Sequence, residues 1–227
     1  MRTPLASAPT RRLIVPLQLE KLSYYISLCI MLIRGTLYQL LRLRFRGWLL
    51  LGPGGKVLGL GKVQFKGLVK VGAYSVVDAR FSEGIVLGSR FSLGDFSIVR
   101  ASGSITFQSA GIRMGNNVSF GPYSNVGGGY GLDIGDDCVF GPYVSIHPEG
   151  HVFSDLKTPI RLQGIKGRGI TIGHNNWFGA KSTVLDGADI RSGCVFGSAS
   201  LALAGVYDDD AIYVGVPARK IKNRAGS

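Results

Sequence analysis

In the C-terminal two-thirds of the chain a hydrophobic residue returns at every sixth position, most regularly at Ile172, Phe178, Val184, Ile190 and Phe196. Gly173, Gly179 and Gly197 follow three of these, and Leu185 and Arg191 follow the other two. The same phase holds at Met114, Phe120 and Val126, and at Ile134, Phe140 and Ile146. A period of six is neither the 3.6 of a helix nor the 2 of an ordinary strand. It suits a chain that makes three short, flat strands per turn, with one apolar side chain per strand pointing inward and small residues at the corners. Short internal periods of this kind predict an all-β solenoid. The earlier positions Val71, Val77, Leu87, Leu93 and Val99 keep the phase only if residues 83–86 and 104–112 are insertions at corners. After Ile146 the repeat stops, and it resumes at Ile172. Residues 152–169 between them, with Pro159, three glycines and several basic side chains, are predicted to leave the solenoid as an extruded loop. A long insertion in a regular solenoid usually marks the binding face.

The N-terminal part follows a different pattern. Between Lys21 and Arg34 lie twelve residues whose polar side chains are Ser23, Tyr24, Tyr25 and Ser27, and no proline occurs from residue 17 to 52. A long helix is therefore allowed. A secretory signal would need a small-residue cleavage site, yet arginines follow the apolar stretch. A membrane span needs about 20 apolar residues, more than this stretch offers. Apolar bulk, aromatics and basic groups together describe an amphipathic helix lying on a membrane surface through residues 13–50; packing on the solenoid or on a neighbouring subunit is the alternative. The predicted organisation is a basic, hydrophobic helix region at 1–50, a solenoid at 51–206 and a C-terminal extension at 207–227.

Composition narrows the picture. The 227 residues include 34 glycines, as a protein made mostly of corners requires, and the net charge is +12. Residues 1–50 hold eight basic groups (Arg2, Arg11, Arg12, Lys21, Arg34, Arg42, Arg44 and Arg46) against Glu20 alone. No nucleic-acid-binding module accompanies that charge, so nucleic acid is not an expected partner. Cys29, Cys138 and Cys194 are too scattered for a disulfide framework or a zinc spacing. Cys138 and Cys194 each stand four residues after an inward isoleucine, which marks them as small core residues. The expected location is the cytoplasm, with peripheral contact at the inner face of the membrane.

From about residue 70 to 224 the chain resembles the left-handed β-helix hexapeptide-repeat acyltransferases, and most of all their sugar and polysaccharide O-acetyltransferase branch. The resemblance rests on Ile146-His147-Pro148-Glu149-Gly150-His151 with Asp155, Pro159-Ile160 and Gln163-Gly164. It rests also on Trp177-Phe178-Gly179-Ala180, on Val184 through Gly187, on Gly197-Ser198-Ala199-Ser200 and on Gly215-Val216-Pro217-Ala218-Arg219-Lys220-Ile221-Lys222. It implies a left-handed coil, where the general rule for parallel crossovers predicts a right-handed one. It also implies a homotrimer that moves acetyl from acetyl-CoA to a hydroxyl of a glycan, polysaccharide or lipid-linked sugar precursor, with no metal. A non-catalytic assembly module, or a zinc carbonic anhydrase of the same fold, are the competing classes.

Acetyl transfer to a hydroxyl needs a base, and histidine suits the role. Three are present: His147, His151 and His174. His174 reads as a solvated corner. By the resemblance the base is His151, with His147 as the other candidate and Glu149 or Asp155 as orienting carboxylates. By the same match Trp177, Ala180 and Ser198 would line the pantetheine groove, and Arg219 and Lys222 would meet the phosphates or adenine of coenzyme A. The chain departs from the pattern at Ser198, Lys181, Arg191 and Leu201 to Ala204. Asn125, about one coil before the histidines and close to Tyr123, and Asp155 in the loop are the candidate contacts to the acceptor.

Overall fold

Each turn of the chain makes three strands of two to four residues, and like strands of successive turns pair in parallel to form the three faces of a triangular prism. The structure, a computed structural model, describes residues 17–101 and 109–225. Arg2, Arg11 and Arg12, residues 13–16 of the predicted interfacial segment and most of the 104–112 insertion lie outside the described residues. The first face starts at Leu49–Leu51 and runs to Ala211–Val214; the second runs from Lys56–Leu58 to Leu201–Ala202, and the third from Val63–Phe65 to Gly205–Tyr207. The strands thus begin just before residue 51 and end after 206. The extension adds one more first-face strand, Ala211–Val214, which then pairs antiparallel with Arg219–Asn223.

The sixth-position residues all point inward. Ile172, Phe178, Val184, Ile190 and Phe196 are at most 1% exposed. On the first face Phe120, Phe140, Phe178 and Phe196 stack ring on ring, with centroids 4.2, 4.7 and 4.7 Å apart, and Tyr213 continues the column at 5.2 Å. Cys138 and Cys194 are buried as expected. Burial pushes both thiols up to about 11, so neither is a nucleophile at neutral pH.

Corners make the coils stack closely. A Cβ on Gly141 would lie 2.7 Å from the backbone nitrogen of Ala180 in the next turn, so only glycine fits. The corner between the first and second faces instead holds Tyr74, Phe96, Tyr123 and Tyr143 at φ values of 53 to 61°. Their rings stack at 5.5, 5.2 and 4.9 Å along the prism edge, which offsets the cost of left-handed backbone in a non-glycine residue.

The lengthened corners lie between the second and third faces: residues 59–62, 79–84, 101–111, 128–131 and 148–169. The insertion at 79–84 is displaced from the expected 83–86, because Ile85 and Val86 belong to the strand Ile85–Leu87. The last carries the antiparallel ribbon Gly150–His151 with Ile165–Lys166, through which the chain leaves the prism and returns to it.

The helix Leu17–Leu40 caps the open N-terminal end. Gly35 allows the contact, since a Cβ there would be 1.9 Å from the carbonyl oxygen of Leu49. Buried Gln39 donates to Gly47 O (3.1 Å) and accepts from the Arg46 N–H (2.7 Å). The Tyr38 hydroxyl meets both backbone groups of Val57, and Arg34 donates to Leu51 O at 2.9 Å. The C-terminal half of the helix therefore packs on the solenoid, the alternative that the sequence left open.

Candidate active site

The extruded loop is fixed from both sides. From the coil below, the Tyr130 hydroxyl donates to Ile165 O at 3.0 Å. From the coil above, Asp186 Oδ1 accepts the N–H groups of Arg168 (2.6 Å) and Gly169 (2.9 Å), where the chain returns to the third face. These contacts hold the ribbon Gly150–His151 over the second-to-third corner of the following coils. The gap beneath it is a cavity of about 720 Å³ lined by His151, Glu149, Phe153, Lys166, Leu185 and Leu203 among others. His151 is exposed and faces this space from the ribbon.

His147 is placed differently. It lies on the second face beside Leu185 of the next strand, half-buried, with its Nε2 2.5 Å from Ser145 Oγ. Burial lowers its pKa and Glu149 opposes the shift, so the ring is neutral near pH 7. Asn125 pairs in register with Ser145, one coil below, and its side chain is exposed on the same face as His147. Tyr123, two residues earlier, belongs to the aromatic column of the other corner.

Asp155 does not orient either histidine. Its Oδ1 accepts the Lys157 N–H at 2.8 Å and its Oδ2 accepts the Thr158 hydroxyl at 2.7 Å, while Gln163 clasps its backbone through 3.0 and 2.7 Å hydrogen bonds. The Thr158 bond holds the carboxyl below its ordinary pKa. Asp155 and Gln163 thus shape the loop tip. Both oxygens of the Asp155 carboxyl are engaged within the turn itself. Glu149 shares the cavity with His151.

The residues matched to the cofactor occupy another side of the prism. Trp177 stands exposed on the first face, in a cavity of about 400 Å³ with Val139, Val195, Asn175, Asp137 and Arg224. Ala180 and Ser198 lie in successive coils at the first-to-second corner, joined by the Ala199 N–H to Ala180 O bond of 2.8 Å. Arg219 and Lys222 are exposed on the tail strand that edges the first face. Among the described residues none lines both the Trp177 and the His151 cavities. Sequence reasoning missed Arg224, which anchors the tail through Gly193 O at 2.9 Å, and the loop cations Lys166 and Arg168, which border the His151 cavity. All three stand just outside the recognised motifs, where a basic residue reads as ordinary solvated charge.

His174 is the solvated corner expected, accepting the Asp136 N–H at its Nδ1 (2.9 Å). Among the described residues no group of three His, Cys, Asp or Glu side chains is arranged to hold a metal ion.

A triangular parallel β-helix with one loop-bearing edge is the architecture of the left-handed hexapeptide-repeat acyltransferases, and the chain has that fold. It is 32% identical over 138 residues to a probable acetyltransferase of Mycobacterium tuberculosis, an alignment covering 61% of this chain and 44% of the relative. The chain therefore spans less than half the length of the curated relative it matches. The crystal structure of AntD, an N-acyltransferase from Bacillus cereus in complex with dTDP and 3-hydroxybutyryl-CoA, superposes with a TM-score of 0.51 at 19% identity, covering 82% of this chain and 87% of that one. A point mutant of AntD in complex with dTDP and coenzyme A gives 0.50 at 18% identity, covering 82% and 88%. No family model matches the sequence.

Proposed function

We propose that the chain is an acetyl-CoA-dependent O-acetyltransferase acting on a hydroxyl of a glycan or glycan precursor, with His151 as general base. The observation that carries this reading is the placement of His151 on a hydrogen-bonded ribbon over a cavity lined by apolar groups (Phe153, Leu185, Leu203), by the cations Lys166 and Arg168 and by the carboxylates Glu149 and Asp186. The 32%-identical acetyltransferase and the acyl-CoA complex of AntD support the acyl donor. In the reaction the imidazole takes the acceptor O–H proton as that oxygen attacks the thioester carbonyl. The C–S bond then breaks, the sulfur leaves as the thiolate of coenzyme A and receives the proton back, and an acetyl ester remains. Backbone N–H donors at the corners would meet the oxyanion. The donor would lie along Trp177, Ala180 and Ser198, with Arg219 and Lys222 toward its phosphates.

Trp177 and His151 line different cavities of one protomer, and Ala180, Ser198, Arg219 and Lys222 lie on the Trp177 side, so the complete site is assembled between copies, as in a homotrimer. The loop that carries His151 supports this arrangement, since it presents Phe153, Leu156, Ile160 and Leu162 to solvent and needs a cover. His147 is the second reading, favoured by the Ser145 hydrogen bond that fixes its ring.

The test is a panel of oligosaccharide and sugar-nucleotide acceptors with acetyl-CoA, scored by release of free coenzyme A thiol and by a hydroxylamine-labile ester in the product. His151→Ala should lower turnover about 10²- to 10⁴-fold with coenzyme A affinity kept. Near-normal turnover in His151→Ala with that loss in His147→Ala moves the base to His147. Failure to bind coenzyme A at all removes the enzymatic reading.

A further inference from the structure

The capping helix is built inside out. Its buried side is Met31, Gly35 and Gln39, spaced four apart and facing the first strand of the solenoid. Leu19, Leu22, Ile26, Ile30, Ile33 and Leu37, at spacings of three and four, form a single stripe on the opposite side. Each of these six is at least 49% exposed, and Leu40 and Leu41 extend the stripe at 54% and 83%. An amphipathic helix normally buries such a stripe against its own domain. Here the domain is already covered, and the stripe faces outward.

The stripe ends where a cationic groove begins. Arg42 and Arg44, just beyond Leu41, join Lys62 and Arg80 around a cavity of about 940 Å³ with an apolar floor that includes Val57, Leu60 and Phe81. Arg46 borders the same segment by donating to Gly61 O at 3.0 Å. Arg80 is paired with Asp78 at 2.9 Å, so part of this charge is compensated. From Leu17 to Lys66 the sequence carries eight basic residues and one acid, Glu20. The aromatic rings of Phe45 and Trp48 are exposed beside the basic turn.

We infer that this end of the prism docks on an anionic phospholipid bilayer, with the outward stripe of the helix immersed among the acyl chains and lipid phosphates held by the Arg42, Arg44 and Lys62 groove. Charge decides the occupant. A second copy placed against the stripe would bring a basic rim against an identical basic rim, whereas an anionic leaflet meets it with the opposite sign. No described helix is long and apolar enough to cross a membrane, so the contact is a surface one. Exposed rings near the interface match the usual aromatic preference for the headgroup level.

The experiment is co-sedimentation of the full chain with vesicles of phosphatidylcholine alone and of phosphatidylcholine mixed with phosphatidylglycerol, alongside its mass in solution by light scattering. The full chain is expected on the anionic vesicles, with weak binding to the neutral ones. Arg42→Gln/Arg44→Gln should weaken anionic binding about thirtyfold, from two basic contacts near the surface. Ile26→Asp/Ile33→Asp should abolish vesicle binding and leave the mass unchanged; both positions are exposed, and far-UV circular dichroism verifies that the fold is kept. Equal binding to both vesicle types, or no binding to either, overturns the inference. So does an Ile26→Asp/Ile33→Asp variant that still binds vesicles but loses mass, because the stripe would then be a contact between copies.

Discussion

Phe178 is the place to test whether the stacked column holds the prism together. Its ring is fully buried between Phe140 and Phe196, with both centroids at 4.7 Å and interplanar angles of 10° and 3°. Truncating a buried phenylalanine to alanine costs about 3–5 kcal/mol through lost transfer energy and the cavity left behind. Each stacked neighbour adds about 0.5–1.5 kcal/mol beyond area burial, so Phe178→Ala belongs at the upper end, about 4–5 kcal/mol. Phe178→Leu keeps most of the volume but removes both ring contacts, and should cost about 1.5–3 kcal/mol. Domains are stabilised by only about 5–15 kcal/mol in total, so the alanine variant should be near the limit of folding. Urea unfolding followed by circular dichroism and by the fluorescence of Trp48 and Trp177 measures both variants. With Trp48→Phe or Trp177→Phe in the background, the remaining tryptophan reports the site-bearing coils or the capped end alone, so any loss of cooperativity shows as a difference between the two. A cost below about 2 kcal/mol for Phe178→Ala would refute the column as the main support, since it would fall under the range for an ordinary core deletion.

Two further predictions use the cap and the second face. Gly35→Ala should destabilise by about 1–3 kcal/mol, because its Cβ would meet Leu49 O at 1.9 Å and lift the helix off the first strand. In an unconstrained helix the same change stabilises by up to about 1 kcal/mol, so a rise in Tm would contradict the packing described. His147 has a pKa lowered by burial, so the unfolded chain binds the extra proton first and stability should fall as pH drops below about 6.5. His147→Asn should flatten that part of the profile. The loss from Asp78, whose carboxyl the Arg80 hydrogen bond holds down, comes only at lower pH, near the unperturbed carboxylate value of about 3.9. Denaturation midpoints between pH 7.5 and 5 check this.

The solenoid was legible because an inward residue is imposed once per face, and Ile172 through Phe196 had no freedom to be polar. The early coils were read less sharply. Ala79 and Ala101 are buried at corners, so a small apolar residue stands just where each insertion departs and blurs its edge. At the N-terminus the helix could be read from its composition, but its orientation could not. A sequence pattern identifies the apolar face, and here the packed face is the one with Gly35 and Gln39, fitted by close approach and by hydrogen bonds to Gly47 and Arg46. At the site, the loop and its histidines were visible as an interruption of the repeat. What Asp155 does was not, because a carboxylate four residues from a histidine in a loop has no fixed geometry until Thr158 and Gln163 close the turn.

The location of the loops follows from the same parallel pairing that makes the core. Strands in register on three faces leave the corners as the only points where residues can be added without breaking a ladder. Over four coils the first-to-second corner is held by the stacked column Tyr74–Phe96–Tyr123–Tyr143, with ring spacings of 5.5, 5.2 and 4.9 Å, and Gly54, Lys181 and Ala199 take the same left-handed place in other coils. The third-to-first corner is bound coil to coil by side chains that accept from the backbone of the neighbouring turn. Asp136 Oδ1 takes the Asn116 N–H at 2.6 Å, His174 Nδ1 takes the Asp136 N–H at 2.9 Å, and Ser192 Oγ takes the His174 N–H at 3.0 Å. Only the second-to-third corner remains free to grow, and it is there that Asp78 is buried among Arg80 and Arg100 and that the His151 ribbon emerges. Two closed edges and one open edge leave the loops on a single line of the prism. Under the proposed function the acceptor is therefore expected along that line, on the side of the prism that carries His151.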